Sequence, residues 1–167
     1  MSHKIHIDIS DLRSRISELS NGDQILLTGV VFTARDAAHK RLVSMIEKGE
    51  KLPIELKDSV IYYTGPTPTP PGMVIGACGP TSSHRMDPYL PSLLEKGLLG
   101  MIGKGERSKE AMDFIKRFGA VYFSAIGGAG ALACKYIKSM KEVAFLDLGC
   151  ESIKELYIEN FPVVYMK

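Results

Sequence analysis

Residues 76–90, GACGPTSSHRMDPYL, place three hydroxyls, a histidine and an arginine between chain-breaking residues. Gly79, Pro80 and Pro88 interrupt regular structure, and the polar groups between them need water or a ligand, so the stretch reads as a binding loop. Arg85 follows Thr81, Ser82 and Ser83, so a guanidinium fork and several hydroxyls can converge on one carboxylate, the geometry arginine recognises best. Two further cations fall where strands should end: Arg35 after QILLTGVVFT and Lys104 within GKG. In an open α/β sheet ligands bind beyond the strand ends, so Arg35, Arg85 and Lys104 can share one pocket. Taken singly, each cation has an ordinary alternative as solvated surface charge. The glycines around Lys104 allow close backbone approach to a ligand, or simply a tight turn. Separated cations suit a dianion, and on residue types alone a dicarboxylate and a phosphate qualify equally.

Other candidates say less. The run IGGAGALA, residues 126–133, has neither the P-loop spacing nor G-x-G-x-x-G, so close strand-to-helix packing is its expected role. His84 could donate a proton or be merely solvated; His3 and His6 fall on an exposed strand face, and His39 on the second helix. Cys78, Cys134 and Cys150 form no C-x-x-C pair. They read as separate, reduced thiols that suggest no disulfide framework or zinc site and give no motif for ligating an iron–sulfur centre with this chain alone.

The elements that must position these residues follow from periodicity. Ile5, Ile7 and Ile9 alternate with polar residues as in a half-buried strand, and Ser10-Asp11 can cap a short helix through Leu19. Residues 24–34 form a continuous β-branched, apolar run, the mark of a central strand buried on both faces. An apolar helical face then runs from Ala34 to Ile46. SVIYYTG (59–65) and MVIGA (73–77) read as strands flanking PTPTPPG, a rigid surface turn. A helix starts at Asp87-Pro88 and runs to about Lys96. LLGMIGKG reads as strand then turn, Ser108 caps the next helix, AVYFSAIG is a strand, and GGAGALACKYIKSM a helix entered through glycine. Two or three short strands close the chain. This alternation gives an α/β class, with strands clustered at both ends arguing for a mixed sheet in one domain, residues 1–167.

With 45% hydrophobic residues, 167 residues can bury a core unaided. A net charge of +2, from 21 basic and 19 acidic residues, argues against a nucleic-acid partner. No apolar run approaches the ~20 residues of a membrane span, and the polar start has no signal-peptide core, so a cytoplasmic protein is expected.

Together TGVVFTARDAAHKRL, YYTGPTPTPPGMVIGACGPTSSHRMD, GLLGMIGKGERS and LDLGCESIKELYIENFPVV resemble the β subunit of class I, iron–sulfur-dependent fumarate hydratase, and the related L-tartrate dehydratase β subunit. The resemblance covers nearly the whole chain. It implies a swivelling β/β/α domain that closes over a [4Fe-4S] cluster held by cysteines of a partner α subunit, with the cluster's open iron acting as Lewis acid. It further implies substrate-binding roles for Arg35, Thr81, Ser82, Arg85 and Lys104, and a catalytic role for Thr81 as base. The expected partners are that α subunit, in a hetero-oligomer, and a small dicarboxylate; isolated, the chain could form a homodimer. Where many relatives read GPTTAGRMD this chain has GPTSSHRMD, so His84 could narrow the pocket. Fumarate hydration to malate, dehydration of tartrate or a methyl-substituted analogue, and a non-catalytic dicarboxylate-binding regulatory module all remain open at this level.

Overall fold

A computed structural model describes residues 3–125 and 130–167. Its elements, in order, are β1 (Ile5–Asp8), α1 (Leu12–Arg15), β2 (Gln24–Thr33), α2 (Asp36–Glu47), β3 (Val60–Tyr62), α3 (Leu90–Glu95), β4 (Gly100–Gly103), α4 (Lys109–Arg117), β5 (Val121–Ala125), α5 (Gly130–Ala133), β6 (Ile137–Ala144) and β7 (Ile153–Met166). β2, β3, β4 and β5 run parallel in that order, and β7 pairs antiparallel with both β5 and β2. These five strands close a small barrel; β1 extends it beside β2 and β6 beside β7. The α/β class and mixed sheet expected from the sequence are both present.

Successive strand side chains point to opposite faces; β3, β4 and β5 are buried on both, whereas β2, expected to be buried on both, buries one face and leaves Gln24 and Val30 exposed on the other. Ile25, Leu27, Val31, Tyr62, Ile102 and Phe123 belong to one core, inside the barrel. Ile61, Tyr63, Met101 and Tyr122 belong to the other, against Ala38, Leu42, Leu90, Leu93 and Ile115 of the outer helices. Each of these larger side chains contributes about 1.5–3 kcal/mol by leaving water, which is why the strands read as continuous apolar runs. Leu12 closes the barrel end where β4 begins, packing against the bare Cα of Gly100.

Four further expectations are corrected. MVIGA is not a strand: residues 66–79 make an excursion without ladder partners, clasped by Thr67 N donating to Ala77 O (2.9 Å) and Ala77 N to Thr67 Oγ1 (2.9 Å). Its prolines supply no N–H for a ladder. From Glu142 onward the chain holds the end of β6 and β7, so two strands as expected, but β7 is a long strand of 14 residues rather than a short one. Asn160, in the left-handed region at φ 53°, lies where the β2–β7 register shifts, and this lets the strand bend and continue past Pro162. The helix expected through Met140 stops early, because Ile137–Ala144 pairs with β7 as β6; residues 126–129 of its glycine entry lie outside the described residues. Near the N-terminus only Leu12–Arg15 is α-helical, between 3-10 turns, and the capping side chain is Asp8, which accepts from Ser10 N at 2.9 Å.

Candidate functional site

β2, β3, β4 and β5 all end at the same mouth of the barrel, and the residues singled out in the sequence are attached there. Arg35 follows β2 in extended conformation and leads into α2; Lys104 follows β4 directly. Thr81–Ser83 returns from the proline-rich excursion and adds to the sheet beyond β3 and β4. Thr81 N donates to Tyr63 O at 2.7 Å, Lys104 N to Thr81 O at 3.1 Å and Ser83 N to Lys104 O at 2.9 Å, with Ser82 and Lys104 bridged in parallel. Residues 83–89 then wind into a 3-10 helix leading to α3, so helical structure begins before the expected Asp87-Pro88.

The two glycines beside Lys104 act differently. A Cβ on Gly103 would overlap Ser83 Oγ and the Tyr63 ring, so its absence lets the loop close onto β4. Gly105 has open space but φ of 77°, a left-handed turn that favours glycine. The tight-turn reading of GKG holds at Gly105, and the close approach at Gly103 is made by the protein's own loop.

The loop holds its hydroxyls in reserve. Its backbone is fixed, yet no described residue bonds the half-buried Thr81 and Ser82 hydroxyls. Lys104 and His84 are exposed, also without a described side-chain partner. Arg85 reaches α2, with Nε 3.2 Å from Asp36 Oδ1 and Nη2 2.6 Å from Asp36 Oδ2, so it already grips one carboxylate. Arg35 lies over Gly65, where a Cβ would sit 2.9 Å from Nη1 and 3.0 Å from Cδ. Its buried Nε has no described partner, and a buried donor left unsatisfied costs about 1–3 kcal/mol. An anionic oxygen would relieve that cost.

The wall beside Arg35 is the 3-10 segment Leu146–Glu151. Arg41 forks onto Asp147 (2.7 Å to each oxygen), and Glu151 accepts from Ala37 N at 3.3 Å in the first turn of α2. From beneath, the buried Lys154 ammonium donates to Ser152 Oγ (2.7 Å) and Cys150 O (3.3 Å), and burial draws its pKa below the ordinary lysine value.

Several buried groups lie behind the loop, and of these only His39 was named in the sequence, without a role. Arg107 donates to Asp87 Oδ1 at 2.7 Å and to Tyr63 Oη at 3.0 Å. Burial raises the Tyr63 pKa and keeps it a neutral phenol. His39 Nδ1–H donates to Arg35 O at 2.8 Å while its buried Nε2 has no described partner; burial lowers its pKa to about 4. The only sequence signal was proximity: Asp36 lies in TARD, Asp87 in RMD and Arg107 just after GKG. A cleft of about 640 Å³ lined by Asp8, Arg13, Val30, Asp58 and Tyr157 shares no residue with this mouth. The mouth carries strand-end cations and hydroxyls with no described partner, so it is the better candidate.

The profile of the family described as Fumarase C-terminus matches residues 1–166. The chain belongs to this family. Over 92% of its length it is 38% identical to fumarate hydratase 2 of Leishmania major and 37% identical to the aerobic class I fumarate hydratase of Escherichia coli K12. It spans only 28% of either relative. A Methanocaldococcus jannaschii protein provisionally named L(+)-tartrate dehydratase subunit beta is 36% identical over 87% of the chain, which here covers 77% of the relative. Among the described residues of this fumarase C-terminus chain, no three metal-ligating side chains come together. Cys78 is buried and pushed up to about 12 by burial and by Cys134 nearby, and Cys150 is exposed. These residues do not fit an iron–sulfur cluster.

Proposed function

We propose that this chain, as one domain, is the dicarboxylate-binding β subunit of a heteromeric hydro-lyase that interconverts malate and fumarate, working with an α subunit that carries a [4Fe-4S] cluster. The observation that carries the reading is the barrel mouth, where Arg35 and Lys104 follow the parallel strands β2 and β4 and the added loop carries Arg85 with two hydroxyls that have no described partner. Dehydration of malate removes a weakly acidic proton from the carbon beside one carboxylate and expels hydroxide from the carbon beside the other, giving fumarate and water. Charge builds on the first carboxylate as the proton leaves, and fixed cations at that position lower the barrier. In this reading Arg35, Arg85 and Lys104 bind and orient the two carboxylates, Ser82 adds a donor, and Thr81 Oγ1 takes the proton. Threonine is a weak base at its free pKa, so that role requires the neighbouring cations to favour its alkoxide or a relay.

The relative covered to 77% of its length favours a second reading, tartrate dehydration, which uses the same carboxylate clamps with one more hydroxyl in the pocket. A cytoplasmic site of action accords with three free cysteines, and among the described residues no helix is long and apolar enough to cross a membrane. The test is anaerobic co-expression with a cluster-bearing α subunit, followed by assays with malate and tartrate. Thr81→Val should lower kcat by about 10²–10⁴-fold while a non-reacting dicarboxylate still binds, and Thr81→Ser should keep most activity. A fully cluster-loaded complex that turns over no hydroxy-dicarboxylate would reject the reading; a normal kcat in Thr81→Val would move the base elsewhere.

A further inference from the structure

We infer that Arg107 is a positioning residue that ties both ends of the 81–87 loop to one buried point and thereby sets Thr81 relative to Arg85. Its catalytic consequence rests on the hydro-lyase reading; its structural consequence does not. The Arg107 side chain is 0% exposed and lies between two rings, 5.3 Å from the centroid of Tyr63 and 5.2 Å from that of Tyr122. Nη1 holds the Tyr63 hydroxyl, and the Tyr63 carbonyl in turn holds Thr81 N at 2.7 Å. Nε holds Asp87, two residues beyond Arg85, whose second oxygen accepts from Ser108 N at 3.0 Å at the start of α4. Tyr122, the other ring, donates to Gly105 O at 2.6 Å and so secures the turn between Lys104 and Arg107. One guanidinium thus joins the residue after β3, the far end of the loop and the β4–α4 turn, and the loop and turn carry Thr81, Ser82, Arg85 and Lys104.

Packing alone does not explain this choice. A buried ion pair is weak evidence for stability, because apolar residues of similar volume often serve as well. Apolar residues cannot set two directional bonds at fixed separation, and lysine lacks the planar fork that does so. Loss of the bridge frees Thr81 and Arg85 to shift independently, and a misplacement of about 1 Å can cost on the order of 10² in rate.

Two variants test this. Arg107→Lys removes the fork, and Tyr63→Phe removes one hydroxyl while keeping the ring and the backbone bond to Thr81. Amide hydrogen exchange is measured on the full chain, and kcat and KM on the complex with its α subunit. The expected result is exchange at least tenfold faster at Thr81, Ser83 and Lys104 with β2 and β7 unaffected, kcat lowered by about 10² with little change in KM, and a double variant no worse than Arg107→Lys. Unchanged loop exchange, or acceleration spread evenly over the sheet, overturns the inference, as does faster loop exchange with kcat intact. If Arg107→Lys does not fold, Tyr63→Phe decides. An inert wild-type complex sinks the hydro-lyase reading, and the exchange pattern then decides the Arg107 assignment.

Discussion

Arg85 meets Asp36 side-on, through Nε and Nη2, which leaves the Nη1 end of the fork without a described partner. In the proposed reading a substrate carboxylate takes that end while Asp36 keeps the guanidinium in plane, so the ion pair would orient the clamp without occupying it. At 45% and 35% side-chain exposure the pair adds little stability, and orientation is its larger contribution. His39 acts on the other arginine, bonding the Arg35 carbonyl from within α2. Burial, opposed by that bond, lowers its pKa from 6.5 to about 4. The imidazole is therefore neutral in the fold through mild acid, whereas the unfolded chain takes up a proton below about pH 6.5. Stability from this site is fully present above that pH and is lost as the pH falls toward 4, by roughly 3 kcal/mol in all. Urea midpoints measured from pH 7 to pH 4.5 should show this slope in the wild type and a flatter one in His39→Gln. Equal slopes would mean that other groups carry the acid sensitivity.

Among the elements, the two glycines flanking Lys104 separate two kinds of constraint. Gly103→Ala drives a methyl into Ser83 and the Tyr63 ring; overpacking of this kind costs about 1–3 kcal/mol, and here it also pushes the loop off β4. Gly105→Ala meets open space and costs only the left-handed conformation, about 1–2 kcal/mol. Both variants should lower the denaturation midpoint, but only Gly103→Ala should also lower kcat; equal kcat losses would mean that the turn, not the loop contact, matters. The strands that lead to this mouth were legible because both faces are apolar, so β2, β3, β4 and β5 read as unbroken runs. Where tertiary pairing overrides local pattern, reading failed: IKSM continues a helical sequence yet pairs with β7, and MVIGA has strand composition but no ladder partner. The exposed candidates Lys104 and Arg85 were legible from loop chemistry. Arg107 was not, since a paired buried arginine and a solvated one look alike in sequence.

At the scale of the whole molecule, the candidate groups sit on one open end of a closed barrel, and the matched relatives Leishmania fumarate hydratase 2 and E. coli fumarate hydratase are more than three times as long as this chain's match. Under the proposed reading the mouth is half a site: Lys104 and Arg85 face solvent, where charge–charge attraction is weak and screened beyond about 8 Å at physiological salt. A site completed by a second protein surface would lose that water, and the same cations would then act in a medium of lower effective dielectric, where each contact is several-fold stronger. The isolated chain should accordingly bind malate only weakly, with Kd on the order of 1 mM or above, a binding free energy of about −4 kcal/mol or closer to zero. Affinity should fall further between 20 and 200 mM salt, and Arg85→Lys should weaken it again by removing the planar fork. In the complex with its α subunit, binding should tighten and lose most of its salt dependence. Calorimetric titration of both forms distinguishes this from a free-standing dicarboxylate sensor, which would require the isolated chain to bind at micromolar Kd with little salt dependence and to gain nothing from a partner.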